Sequence, residues 1–240
     1  MMMTELNFLH EMLMRLLPGI PLTIQLTACS VFFGGILGLI LALMRTSGIR
    51  PLDLIAKGYM TLFRGTPLLV QIYLVYYGIS QFPELRSSVI WPLLRQPWWC
   101  AVFALSLNTA AYVAEIVRGS IITVPRGQIE AALAFGMTTR LTYRRVILPQ
   151  AFVRMLPAYG NEIILMVKAT ALASTITLME ITGLAAKAIS ETYRPVEIFA
   201  VAGLIYLGLN FSIVYIIRLL ESRMSPTSAV AKQCQSRNYF

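Results

Sequence analysis

Gly127-Gln128-Ile129-Glu130-Ala131-Ala132-Leu133-Ala134-Phe135-Gly136, followed after a basic patch by Ile147-Leu148-Pro149, lies between the third and fourth apolar runs of the chain. Pro125 suits the first turn of a helix, Glu130 and the two alanines favour its continuation, and Gly136 can take the left-handed conformation that ends it. Thr138 or Thr139 can then cap a second short helix reaching Tyr143 and Arg144. A polar, structured loop held between apolar runs offers a surface to another protein.

The flanking runs define the class. The chain has 240 residues, of which 57% are hydrophobic and 13% charged, and its mean hydropathy is +0.69. A soluble domain carries about 25% charged residues, so the chain is read as an integral membrane protein. Crossing a bilayer takes roughly 20 apolar residues, and five all-α spans are expected, at about 18–44, 65–82, 97–117, 152–178 and 197–218, with the loop at 120–149. Glu162 and Lys168 interrupt the fourth, which therefore faces a protein interior or a cavity. No repeat or linker divides the chain, so one membrane domain is expected.

Five spans put the termini on opposite sides, and the basic residues distinguish the sides. Arg45, Arg50, Lys57 and Arg64, then Arg118, Arg126, Arg140, Arg144, Arg145 and Arg154, then Arg218, Arg223, Lys232 and Arg237 fall on one side. The other side has Arg15, Arg86, Arg95, Lys187 and Arg194. By the positive-inside rule the N-terminus is external (periplasmic) and the C-terminus cytoplasmic. The net charge of +9 is thereby explained by orientation, with no call for nucleic acid.

Smaller features fill in the outline. Leu6, Leu9, Leu13 and Leu17 recur at helical spacing, which predicts a short N-terminal helix on the outer membrane interface. After the first span, Leu52, Ile55, Ala56, Tyr59, Met60 and Phe63 mark an amphipathic helix expected to run along the cytoplasmic interface. Pro67 then turns the chain into the second span. Trp91, Trp98 and Trp99 place the 82–97 segment at headgroup level outside. Cys29, Cys100 and Cys234 are odd in number and near no histidine cluster, so they read as packing residues. The N-terminus has neither a basic region nor a small-residue cleavage site, and the first span is expected to act as its own insertion signal.

Enzyme chemistry finds no support. A phosphate cradle would end in Gly-Lys-Ser/Thr, and the chain has no Gly-Lys pair. There is no Gly-x-Ser-x-Gly elbow or zinc helix, and the single histidine, His10, reads as a solvated interfacial residue.

Here the residues resemble a known family. Glu130-Ala131-Ala132, Gly136 and Ile147-Leu148-Pro149 look like the EAA coupling motif of the membrane subunits of bacterial ABC importers. Gly58-Tyr59-Met60-Thr61-Leu62-Phe63-Arg64-Gly65-Thr66-Pro67-Leu68-Leu69-Val70-Gln71, Leu105-Ser106-Leu107-Asn108-Thr109-Ala110-Ala111-Tyr112, Asn161-Glu162 and Lys168-Ala169-Thr170-Ala171-Leu172 extend the similarity over nearly the whole chain. They resemble the polar amino acid permeases, among them the M-type permeases of arginine importers and the histidine/lysine/arginine permeases. The resemblance implies that the loop docks on a separate cytoplasmic ATPase, with Glu130, Ala131, Ala132, Gly136, Arg140 and Pro149 as the coupling set. It implies ATP and Mg on two such ATPase subunits and no cofactor on this chain. It also implies a second homologous permease or a second copy, an external amino-acid-binding protein, and residence in the bacterial inner membrane.

The polar residues at membrane depth bear on substrate. Asn108, Tyr112 and Glu115 share one face of the third span, while Asn161 and Lys168 share a face of the fourth beside Glu162. A charge facing lipid there is costly, so these groups must face protein, water or ligand. Pro157 and Gly160 are expected to loosen the fourth span just before Asn161-Glu162. Glu162 is expected to accept the guanidinium or ammonium group of a basic amino acid, with arginine held bidentately. Asn161, Asn108, Thr170 and Glu115 are the further pocket candidates. The alternative is that Glu162, Lys168 and Glu115 form structural ion pairs with one another or with a partner subunit. Glutamine, glutamate and opines stay open as substrates. A gradient-driven secondary transporter or channel is the rival class, and a membrane scaffold a third.

Overall fold

Small residues set the spine of the molecule. The computed structural model describes residues 2–224, whose regular structure is entirely helical; Lys232, Cys234 and Arg237 lie outside the described residues. Along α2 (Ile20–Thr46), Ser30, Gly34, Gly38 and Ala42 recur every fourth residue and are buried. They meet α7 (Pro97–Ile122) almost backbone to backbone. A Cβ added to Gly34 would lie 2.8 Å from the Ser106 carbonyl oxygen, and one on Gly38 would lie 2.7 Å from Val113 Cβ. Helices in lipid gain no hydrophobic free energy by associating, so the close approach that small residues permit has to hold them together.

α1 (Met2–Leu16) continues into α2 through one 3-10 turn at Leu17–Gly19, and Asn7–Thr46 is a single 40-residue helical run. This corrects the expected separate helix on the outer interface. Pro18 and Pro21 fall at first-turn positions, where a missing N–H leaves the run unbroken. Leu9 and Leu17 are exposed, and Met12 and Leu16 are the buried residues, packed against α11 (Ile181–Thr192) and α12 (Pro195–Met224).

α7 and the run Pro195–Arg223 of α12 are also long and apolar enough to cross a membrane singly. The expected second span, 65–82, begins where the chain restarts after Pro67. α3 (Arg50–Gly65) lies along α7, with Ala56 and Met60 packed on Ala110, Ala111 and Ala114, and the Tyr59 hydroxyl donates to the Leu107 carbonyl at 2.7 Å. Part of its apolar face thus packs on α7, while Ile55 of the same stripe stays exposed. Thr66 and Pro67 are extended, and α4 (Leu68–Tyr73) carries on through a π turn at Leu74–Gly78 and a 3-10 turn at Ile79–Gln81. Two single-turn helices, α5 (Pro83–Arg86) and α6 (Trp91–Leu94), lead into α7.

The fourth expected span breaks, but later than Pro157 and Gly160. α10 (Leu148–Ala169) passes through both residues. Gly160 is small for another reason: its Cβ would lie 2.7 Å from Ile217 Cγ2 of α12. The helix tightens to 3-10 at Thr170–Ile176, Thr177 turns left-handed with φ 70°, and α11 leaves at a 48° bend. Met166, Ala173 and Ile176 join Leu26, Ile72 and Leu105 in the main core, so that the break is packed among α2, α4 and α7.

Candidate functional site

The polar loop is built by local rules. α8 (Arg126–Ala134) starts after extended Pro125 and ends at Gly136, whose φ of 78° lets its N–H reach the Leu133 carbonyl at 2.9 Å while Met137 N–H reaches Ala132 at 3.1 Å. Thr138 then caps α9 (Thr139–Thr142), its hydroxyl accepting from Leu141 N–H at 3.4 Å, and a π turn at Tyr143–Ile147 hands the chain to α10. Within this loop Ala132, Thr142 and Ile147 point inward, whereas Glu130, Ala131, Arg140 and Pro149 are exposed. Arg154 of α10 donates to the Thr123 carbonyl at the end of α7, which ties the two ends of the loop together. Phe135 is 88% exposed beside the Gly136 turn. Its sequence signal, a large apolar residue immediately before the turn glycine, had been assigned no role.

The residues at membrane depth separate into committed and uncommitted groups. Asn108 is committed: its Nδ2 donates to Gln71 Oε1 at 3.0 Å and to the Phe63 carbonyl at 3.3 Å. Gln71 Nε2 donates to the Phe63 carbonyl at 2.8 Å, the Thr66 carbonyl at 3.1 Å and Thr66 Oγ1 at 2.8 Å. Pro67, four residues after Phe63, has no N–H to give to that carbonyl, so the two amides replace the missing donor. Glu115 pairs with Arg118, with Nε to Oε2 at 3.0 Å, and Arg64 stacks over the neighbouring Tyr112 ring at 5.4 Å. Thr170 is buried, and its hydroxyl turns back to the Val167 carbonyl at 2.7 Å.

Glu162 differs from all of these. It is 6% exposed on α10, and no hydrogen bond or ion pair to its carboxyl is present among the described residues. The expected ion pairing with Glu115's neighbourhood or with Lys168 is not made within this chain. Asn161 next to it is exposed, as is Lys168. The structure therefore leaves Asn161 and Glu162 adjacent on α10 and takes Asn108, Glu115 and the Thr170 hydroxyl into other contacts.

Two grooves flank the bundle. One of about 620 Å³ is lined by α2, α7 and α10, including Phe32, Ile36, Val117, Phe152 and Tyr159; the other, of about 430 Å³, is lined by α2, α10 and α12, including Thr27, Val167, Leu209 and Ile213. Neither contains Asn108, Glu115, Asn161, Glu162 or Thr170. Their nearly all-apolar walls suit lipid or another membrane helix and cannot replace the hydration of a charged amino acid. No group of three His, Cys, Asp or Glu side chains suited to a metal occurs among the described residues.

Two further polar residues escaped the sequence. Gln71 closes the Gly58–Gln71 stretch, and its partners on Phe63, Thr66 and Asn108 carry no local sequence signal. Glu180, which is fully buried, is an N-cap that sequence rules overlook because Ser, Thr, Asp and Asn are the usual caps.

With this geometry in place, comparison with known proteins is informative. Residues 34–226 match the family described as binding-protein-dependent transport system inner membrane component. The chain is 59% identical over 219 residues to the octopine transport system permease protein OccM of Rhizobium meliloti, covering 91% of this chain and 89% of the relative. It is 43% identical over 216 residues to the arginine ABC transporter permease protein ArtM of Escherichia coli K12, covering 90% and 96%. Among solved structures, an amino acid ABC transporter crystallised with histidines matches with a TM-score of 0.79 and 39% identity, over 87% of this chain and 94% of that one.

Proposed function

The chain belongs to the family of binding-protein-dependent transport system inner membrane components, and from that premise we propose that it is the permease subunit of an ATP-driven importer for basic amino acids and related guanidino compounds. The observation that carries the substrate class is Glu162: a buried carboxyl on α10, beside exposed Asn161, with no hydrogen-bond or ion-pair partner among the described residues. A carboxyl kept without a partner at membrane depth is destabilising unless something arrives to pair with it. Octopine and arginine, for which the two relatives are named, both carry a guanidinium, which pairs with a carboxylate through two parallel charge-assisted hydrogen bonds. Asn161 stands next to that position, and Thr170 is about 12 Å further along the helix axis by rise per residue. Asn108 and Glu115, held elsewhere, contribute through structure rather than by contact.

The remaining parts of the reading follow from the loop. The face formed by Glu130, Ala131, Phe135, Gly136 and Arg140 meets a separate cytoplasmic ATPase, with Ala132 turned inward as the residue that must stay small. Phe135, whose ring is almost wholly exposed, is the apolar anchor of that contact. ATP and Mg reside on the ATPase. The basic residues concentrated on the loop's side support a cytoplasmic loop and an external N-terminus. A second permease, homologous or identical, covers the apolar grooves and completes the site around Glu162, and an external binding protein delivers the ligand. ATP-driven closure of the ATPase pair moves α8 and α9, and through the Arg154 to Thr123 tie it moves α7 and α10 together, opening the site to one side and then the other.

The test is ATP hydrolysis by the complete complex in lipid, with arginine, lysine, histidine or glutamine supplied on the binding protein. Basic amino acids are expected to stimulate, and Glu162→Gln is expected to reduce arginine-driven transport at least about tenfold, the loss of one charge-assisted pair. Stimulation by glutamine alone, or full transport by Glu162→Gln, would remove the proposed role of Glu162 while leaving the importer intact.

A further inference from the structure

The corner between α10 and α11 contains a second acidic side chain that the reading above leaves unused. Glu180 is 0% exposed at the N-cap of α11. One carboxyl oxygen accepts from Gly183 N–H at 2.9 Å, and the other accepts from the Tyr206 hydroxyl of α12 at 2.6 Å. Because Tyr206 gives its proton to Glu180, the Thr182 hydroxyl at 3.1 Å donates to the phenol oxygen. A shorter cap could satisfy the Gly183 N–H alone. A glutamate serves that N–H and reaches a neighbouring helix as well.

The backbone around Glu180 is over-determined. A Cβ on Gly19 would lie 2.6 Å from Ile181 N, so the α1–α2 junction rests against this corner; a Cβ on Gly183 would lie 2.2 Å from the Leu178 carbonyl oxygen, so the turn folds back onto the first turn of α11. Thr177, β-branched, is held at φ 70°, a conformation that persists only where the surroundings impose it. On the near side of the turn, Ala173 and Ile176 are anchored in the main core. On its far side, Ile181 and Ala185 pack on Ile198 and Val201 of α12, and the polar anchor to α12 is the bond between Glu180 and Tyr206, with Thr182 beside it.

We propose that Glu180 and Tyr206 are positioning residues for transport: their bond fixes the angle of the corner between α10 and α11 and with it how α10 is held against α11 and α12. A rigid corner passes a displacement of α10 on to α11 and α12, whereas a loose one absorbs it in the Thr177 turn. The proposal rests on the importer reading but not on the ligand role of Glu162.

The test uses the assembled complex in lipid, with Tyr206→Phe as the main variant because it removes only the bonding hydroxyl. The increment in ATP hydrolysis evoked by arginine-loaded binding protein is expected to fall about tenfold, the equivalent of one charge-assisted hydrogen bond, with hydrolysis in its absence unchanged and the melting temperature of the complex lowered by no more than the loss of one buried hydrogen bond. Glu180→Asp, which keeps a capping oxygen on a shorter stem, is expected to reproduce the effect, and Glu180→Gln to give a smaller one. An unchanged increment in assembled Tyr206→Phe and Glu180→Asp complexes overturns the proposal. So does a fall of both rates and of the melting temperature together, which marks a purely structural bond. If a Glu180 variant does not assemble, Tyr206→Phe decides alone. A wild-type complex that ignores every basic amino acid overturns the importer reading itself and the proposal with it, a result visible before any variant is made.

Discussion

The junction at Thr66–Pro67 and the break in the fourth span at Thr177–Glu180 are repaired with opposite chemistry. At Thr66–Pro67 the break is made by a proline, which removes a donor and leaves the Phe63 carbonyl without its helical partner; the side chains that converge there, Gln71 and Asn108, bring N–H groups. At Thr177–Glu180 a new helix begins, which leaves amide N–H groups without acceptors; the side chain that converges there, Glu180, brings one carboxyl oxygen to the Gly183 N–H and the other to the Tyr206 hydroxyl. Irregular backbone at membrane depth is tolerated only where protein satisfies it. The residue types at each break are therefore dictated by which half of the peptide group the break exposes, and a neutral amide pair and a buried carboxyl are two answers to one constraint.

The severest way to break the fourth-span corner is to close the space its turn occupies. In an ordinary helix, Gly→Ala is stabilising by about 1 kcal/mol. At Gly183 the new methyl would sit 2.2 Å from a backbone oxygen that cannot rotate away, and the clash outweighs the propensity gain with a net loss of about 3 kcal/mol. Gly183→Ala is thus expected to lower the melting temperature of the purified complex sharply, and an unchanged temperature would mean the turn is not as tight as the comparison requires.

The Thr66–Pro67 junction is sharpened by a cycle rather than a single change. Gln71→Leu strands the Thr66 carbonyl and half of the Asn108 amide, an expected loss of roughly 2 kcal/mol. Pro67→Ala restores an N–H four residues after Phe63 and makes the side-chain donors partly redundant. The loss on Gln71→Leu is therefore expected to shrink by about 1 kcal/mol in the Pro67→Ala background. Equal losses in both backgrounds, read as chemical-denaturation or thermal shifts, would show that the amides are not there to replace the proline's missing donor.

How much of this could be read in the sequence depended on the range of the interactions. α2, α7 and α12 are legible because each is a long apolar run, and the α8–α9 loop because Gly136 and Thr138 act on their nearest neighbours. α3 had a clear helical period, but periodicity does not say whether an apolar face meets lipid or α7. Pro157 and Gly160 drew attention as helix breakers, yet Gly160 is small because Ile217 approaches, and the break falls where Thr170–Ile176 is pulled into the core by residues distant in sequence. Within the candidate site Glu162 was legible as a charge in an apolar run. That Asn108 was spoken for was not, since its partners Gln71 and Phe63 are 37 and 45 residues away.

The smallest expected effect has the opposite sign and concerns the strain at the fourth-span corner. Thr177 pays about 1–2 kcal/mol for its left-handed backbone, and glycine adopts the same φ without that penalty. Glycine also frees the unfolded chain, which takes back about 0.5–1 kcal/mol. Thr177→Gly is therefore expected to raise stability by a few tenths to about 1 kcal/mol, a small upward shift in melting temperature. The same substitution softens the turn that the Glu180–Tyr206 bond holds, so the stabilised variant is expected to couple ligand to ATP hydrolysis no better than the wild type, and worse once Tyr206→Phe is added. A Thr177→Gly complex that is both more stable and indifferent to Tyr206→Phe would mean that the corner's rigidity comes from core packing at Ala173 and Ile176 alone, and the two breaks would then differ in more than their hydrogen-bonding chemistry.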